Sequence, residues 1–147
     1  MRFNQNFLQT STVQNFFKSI KVDFEFDVIV VDGFYLMRSD YHSEEIPGYV
    51  KDVFFDEIGY ENFINKISMW IICSNCRKER KLRMGLGIAN KLSVFLKNKF
   101  PSEHFIVGVS ANGSDCFVSF HKKREGQRLS VEDIEKYAGE AVLEIMV

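Results

Sequence analysis

Phe24, Phe26 and Val28 alternate with Glu25 and Asp27, and the apolar run 28–31 follows. This pattern predicts a strand that becomes more buried as it proceeds. Asp32-Gly33 comes next, and then a second apolar run, 34–37. Asp-Gly between two such runs predicts a β-hairpin, because a type I′ turn needs positive φ at both central residues. A second hairpin is predicted from Phe105, Val107 and Val109, then Asn112-Gly113, then Cys116, Val118 and Phe120, with a connection longer than two residues.

Helical spacing occurs in four other places. Val13, Phe16, Phe17 and Ile20 follow Ser11 and Thr12 as cap candidates. Tyr60, Phe63, Ile64, Ile67, Trp70 and Ile71 trace one apolar stripe. A third stripe, Ile88, Leu92, Phe95 and Leu96, predicts a helix over 85–99 that Pro101 ends. Ser130 caps a terminal helix carrying Val131, Ile134, Ala138, Ala141, Val142 and Ile145, with Asp133 completing a weak capping box. Between the first hairpin and the second helix, Pro47-Gly48 marks a turn, and Val50, Val53 and Phe54 fit one or two helical turns ending at Gly59. Helices and hairpins interleave without a βαβ rhythm. The expected class is α+β: an antiparallel sheet built from two hairpins with three to five helices packed against it, in one domain over 1–147.

Composition adds a core and little else. The chain of 147 residues is 46% hydrophobic, and its 15 Phe point to aromatic core packing rather than a ligand box. The first ten residues lack a secretory pattern, and no run approaches the ~20 apolar residues that span a bilayer. Three cysteines are an odd number, so reduced thiols in the cytoplasm are the expectation.

Charge changes the picture more. Asp40, Glu44, Glu45, Asp52, Asp56, Glu57 and Glu61 gather in 40–61 against Lys51 alone. Arg77, Lys78, Arg80, Lys81, Arg83, Lys91, Lys97 and Lys99 gather in 77–99 against Glu79 alone. The formal net charge of -1 conceals this separation, which projects a field able to steer charged partners. Tyrosines and phenylalanines sit among the carboxylates, as they do in protein interfaces. The candidate partner-binding residues are therefore Tyr41, Glu44, Glu45, Tyr49, Asp52, Phe54, Asp56 and Glu57, with Tyr41, Tyr49 and Phe54 as apolar anchors. The basic segment 77–83 offers an alternative, a nucleic-acid-binding regulator that neutralises phosphates. The sequence pI near 6.3 and the lack of interleaved aromatic platforms argue against it.

No motif supports catalysis, a cofactor or a metal. Cys73-Ser74-Asn75-Cys76 is a lone CxxC without the second ligand pair of a zinc site. It falls near a predicted helix end, where the dipole opposes thiolate formation, so ordinary thiols are expected. Gly85-Leu86-Gly87 lacks the third glycine and preceding strand of a dinucleotide loop and reads as a helix start of small residues. The histidines His42, His104 and His121 form no recognisable triad by spacing.

The segments Asp115-Cys116-Phe117-Val118-Ser119-Phe120-His121-Lys122-Lys123-Arg124 and Leu129-Ser130-Val131-Glu132-Asp133-Ile134-Glu135-Lys136-Tyr137 resemble immunity proteins of bacterial toxin-immunity pairs, in particular those of contact-dependent growth inhibition. The resemblance covers about a third of the chain and carries no shared set of functional residues. It implies an intracellular, non-catalytic protein that binds a cognate toxin domain, often a nuclease, and blocks it. An acidic, aromatic-containing face is compatible with that role, because a nuclease must hold phosphates on a basic surface.

Overall fold

The computed structural model describes residues 2–3, 5, 22–41, 45–48, 53–54, 56–127 and 141–147. In chain order its elements are β1 (Arg2–Phe3), β2 (Val28–Val31), β3 (Phe34–Met37), α1 (Glu57–Ile64), β4 (Ile67–Ser68), α2 (Met69–Ile72), α3 (Lys78–Lys99), β5 (Phe105–Asn112), β6 (Asp115–Lys122) and β7 (Ala141–Met146). The class is α+β. The finer expectation, one sheet made of two hairpins, is not met. β2 and β3 form a separate two-stranded sheet, and the main sheet has five antiparallel strands in the order β1-β7-β5-β6-β4.

Turn chemistry is where sequence and structure agree best. Asp32 and Gly33 both take positive φ, 50° and 82°, and Val31 pairs with Phe34 across a two-residue turn. The β5–β6 connection is shorter than expected. Asn112 pairs with Asp115, leaving only Gly113 and Ser114 as the loop, with Gly113 at φ 47°. The alternation at Phe24, Phe26 and Val28 matches their burial, although ladder pairing begins only at Val28.

Three helical expectations need correction. The stripe from Tyr60 to Ile71 is not one helix. It breaks at Asn65, where the chain passes through β4 before the single turn of α2. The predicted 85–99 helix begins at Lys78, so Gly85 and Gly87 lie inside it. Gly85 has a packing reason. A Cβ there would stand 2.6 Å from the Cys116 Sγ, so the glycine lets α3 approach β6 closely. Ala141, Val142 and Ile145, predicted on the terminal helix, lie on β7 instead. There they pair with β5, Ala111 with Ala141 and Val107 with Ile145. The helices predicted over 11–20 and over 130–140 lie outside the described residues.

Strand parity sends Phe105, Val107 and Val109 of β5 and Cys116, Val118 and Phe120 of β6 toward α3, where they meet buried Leu82, Ile88, Leu92 and Leu96. Fully burying side chains of this size contributes about 1.5–3 kcal/mol each. A smaller cluster, Leu36, Tyr41 and Tyr60 with Phe34 and Phe54 against it, lies on the other side of the β2–β3 hairpin.

Two polar side chains join the hairpin to the main sheet. Glu61 and Asn65 stand one turn apart on α1 and its C-cap, so they share a face. The Glu61 carboxylate accepts from the backbone N–H of Tyr35 at 2.8 Å and of Lys122 at 2.7 Å. Asn65 accepts from the Met37 N–H and donates to the carbonyls of Tyr35 and Phe120. Strands β3 and β6 are thus connected through helix side chains rather than through a ladder. The Arg124 guanidinium completes the set by gripping both Glu61 oxygens, at 2.8 and 2.7 Å. Burial works against the Arg124 charge, but the Glu61 carboxylate more than offsets this and the Arg124 pKa is raised.

Candidate functional site

The described members of the predicted acidic site differ in burial: Tyr41 is buried, Phe54, Asp56 and Glu57 are half-buried and Glu45 is exposed. Tyr41 is buried in the smaller cluster, and its hydroxyl donates to the Glu45 carbonyl. It is a core residue, not a surface anchor. Phe54 packs its ring edge-on to Tyr60 and tilted against Phe63. Asp56 is the N-cap of α1 and accepts from the Gly59 N–H at 2.8 Å. Glu57 accepts a hydrogen bond from the Gln127 amide. Glu44, Tyr49 and Asp52 lie outside the described residues. Three of the carboxylates that spacing grouped together therefore serve the fold: Asp56 as a helix cap, Glu57 as a partner for Gln127 and Glu61 as the buried junction.

The basic segment divides in the same way. Lys81 is buried and its ammonium donates to the Ser114 carbonyl at 3.1 Å, which ties α3 to the β5–β6 turn. Arg77, Lys78 and Arg80 remain exposed at the start of α3.

What sequence reasoning missed lies just before those cations. Trp70, Ile71 and Ile72 are exposed, at 56%, 81% and 38%, and they occupy successive positions of α2. The helical stripe had placed Trp70 and Ile71 in a core. A signal was available: four consecutive apolar residues, Met69 to Ile72, cannot all face one side of a helix. Met69 takes the buried position, and the three that follow are turned out.

The backbone beneath them is fixed. Ser68 caps α2 by accepting from the Trp70 N–H, and its hydroxyl also meets the Asp115 carboxylate at 2.6 Å. Cys73 N–H donates to the Met69 carbonyl at 2.9 Å, and Cys76 N–H to the Cys73 carbonyl at 3.2 Å. Cys73 and Cys76 form a disulfide across this turn. The expectation of ordinary thiols is thereby corrected for this pair, while Cys116 is a buried free thiol. The reason lies in local geometry: the turn holds the two Cα atoms 5.4 Å apart, within the usual span of a bridge.

On the face of the sheet away from α3, His121 is buried between elements. Desolvation pushes its pKa down to about 4. The carboxylates of Glu144 on β7 and Asp56 before α1 oppose that shift, and Arg124 reinforces it. Burial and the neighbouring Asp115 push the Cys116 thiol up to about 12, so that thiol is inert. Among the described residues no cluster of His, Cys, Asp and Glu has the geometry to hold a metal, and no helix is long and apolar enough to cross a membrane.

No curated protein and no solved structure matches the chain. Over residues 2–146 it matches the Uncharacterized protein PM0498 family, and it belongs to that family.

Proposed function

We propose that the chain is a protein-binding module whose docking surface is the corner formed by α2 and the first turn of α3. The observation that carries this reading is the solvent-facing trio Trp70, Ile71 and Ile72 on a backbone fastened by a cap, a buried Met69 and a disulfide. Single exposed apolar residues are ordinary, but three in sequence on a rigid turn mark an interaction surface. Trp is also the residue type most enriched among interface hot spots. A pre-fixed backbone reduces the ordering entropy lost on binding. The exposed cations Arg77, Lys78 and Arg80 flank the trio in sequence, so the partner it fits is a protein with an apolar pocket rimmed by carboxylates.

The immunity role implied by the resemblance is the specific form of this reading: the chain captures a toxin domain and blocks it. The acidic face read from the sequence has weaker support as the docking site, because Tyr41 is buried and Asp56 and Glu57 are hydrogen-bonded within the chain. Co-expression with any candidate toxin domain found encoded immediately beside this reading frame, together with calorimetry on the purified pair, tests both statements. The wild-type chain should restore growth. Ile71→Glu should abolish the rescue and weaken binding by about 30-fold, a hot-spot loss of about 2 kcal/mol. The triple substitution E45Q, D56N, E57Q should leave affinity within about twofold. The reverse pattern moves the docking site to the acidic block, and absence of any complex removes the immunity role.

A further inference from the structure

We propose that Cys73 and Cys76 are a redox-active pair that exchanges electrons with dithiols. Four features of the structure converge on this. The two sulfurs are already bonded, and both residues are only partly buried. The pair follows a single-turn helix but precedes the 22-residue helix α3, with Cys76 two positions ahead of the first helical residue, Lys78. The dipole that governs it is therefore the positive end of α3, contrary to the expectation from sequence. The α3 N-cap, Arg77, makes no side-chain cap bond, so no side chain there takes up the first-turn amides. Finally, Arg77, Lys78 and Arg80 are exposed around this terminus, with Glu79 the one acid in its first turn. Positive charge and a helix N-terminus favour a thiolate over a thiol. The contrast with Cys116 is internal to the chain: that thiol is sealed under α3 beside Asp115.

A thiolate of the substrate dithiol attacks the Cys73 sulfur. The Cys73–Cys76 bond breaks, a mixed disulfide forms on Cys73, and Cys76 leaves as the thiolate stabilised at α3. The substrate's second thiolate then attacks its own sulfur in the mixed disulfide and releases Cys73. The substrate is oxidised by two electrons to a disulfide. The chain is reduced to two thiols, which take up the two protons that the substrate lost. Cys76 stands nearer than Cys73 to the α3 N-terminus, whose dipole favours the departing negative charge, and this gives Cys76 the leaving role.

The experiment reduces the full chain with dithiothreitol, removes the reductant and measures iodoacetamide alkylation of each cysteine at pH 6 by mass spectrometry. Cys76 should react about tenfold faster than the thiol of glutathione under the same conditions, Cys73 more slowly, and Cys116 not at all while the chain is folded. The triple charge reversal R77E, K78E, R80E, all at exposed positions, should slow Cys76 about fivefold without altering the circular dichroism spectrum. In a glutathione redox buffer the folded pair should reduce and re-form reversibly. A Cys76 that alkylates no faster than glutathione, or a bridge that opens only when the chain unfolds, would overturn the proposal and leave the disulfide as a structural staple. The Ile71→Glu binding test is made on the oxidised chain, so its failure and the failure of this proposal are read separately.

Discussion

The α1–β6 junction and the α2 corner stand a few residues apart in sequence and invert each other's chemistry. At the junction, Glu61 is fully buried, yet its carboxylate receives four hydrogen bonds: two backbone N–H groups and two from Arg124. At the corner, Trp70, Ile71 and Ile72 face water with a disulfide behind them. A buried charge with every oxygen occupied is an architectural part, since removing it would leave its partners unpaired in a desolvated site. A large apolar side chain held in solvent gives the fold little, so its rationale lies with something outside the chain. At these two places the buried carboxylate serves the fold, and under the function proposed above the exposed apolar trio, with the cations Arg77, Lys78 and Arg80 beside it, serves binding.

The largest expected effect is that of Glu61→Ala. It strands the Arg124 guanidinium, whose side chain is 16% exposed, together with the N–H groups of Tyr35 and Lys122. The expected loss is about 3–5 kcal/mol in urea unfolding. A loss below about 1 kcal/mol would show the junction to be ornamental. Next in size is an acid sensitivity centred on His121, which faces Glu144, Asp56 and Arg124. Its folded pKa is depressed to about 4 from 6.5, so between those values the unfolded chain binds a proton that the folded chain does not. Stability is complete above pH 6.5 and falls as pH drops toward 4, by about 3 kcal/mol at 1.36 kcal/mol per pH unit. Chemical denaturation across that range should show a shallower decline in His121→Gln. Identical slopes would mean that His121 is solvated. The smallest effect belongs to the corner: Ile71→Ser and Trp70→Ser should each change unfolding free energy by no more than about 0.5 kcal/mol. A larger loss would mean that the trio belongs to the core after all.

Legibility followed the range of the determining interactions. Asp32-Gly33 carried its hairpin because positive φ at two adjacent positions is a local demand that few residues meet. Alternation at Phe24, Phe26 and Val28 read correctly for the same reason. The segment Ala141–Met146 failed because Ala141, Val142 and Ile145 satisfy helical spacing, while the edge of β5 that claims them lies some thirty residues away in sequence. Asn65 gave no warning that it ends α1, since its amide bonds the backbone of β3 and β6, 28 to 55 residues distant. At the candidate site the cysteine spacing was visible, but its setting was not. The expected dipole came from a helix that stops at Ile64, whereas α3 starts two turns earlier than its apolar stripe suggests.

The strand order bears on how this protein is made. β5 lies between β6 and β7, and β1 pairs with β7. A ribosome delivers β7 last among the described strands, so once β5 has been made one edge of it offers its backbone to whatever is near until β7 follows, and Arg2–Phe3 waits for a mate at Leu143 and Glu144. Nascent or prematurely terminated chains therefore carry an open template for intermolecular pairing until residue 146 has emerged. Yield in recombinant expression should depend on translation speed and on chaperones that shield that edge.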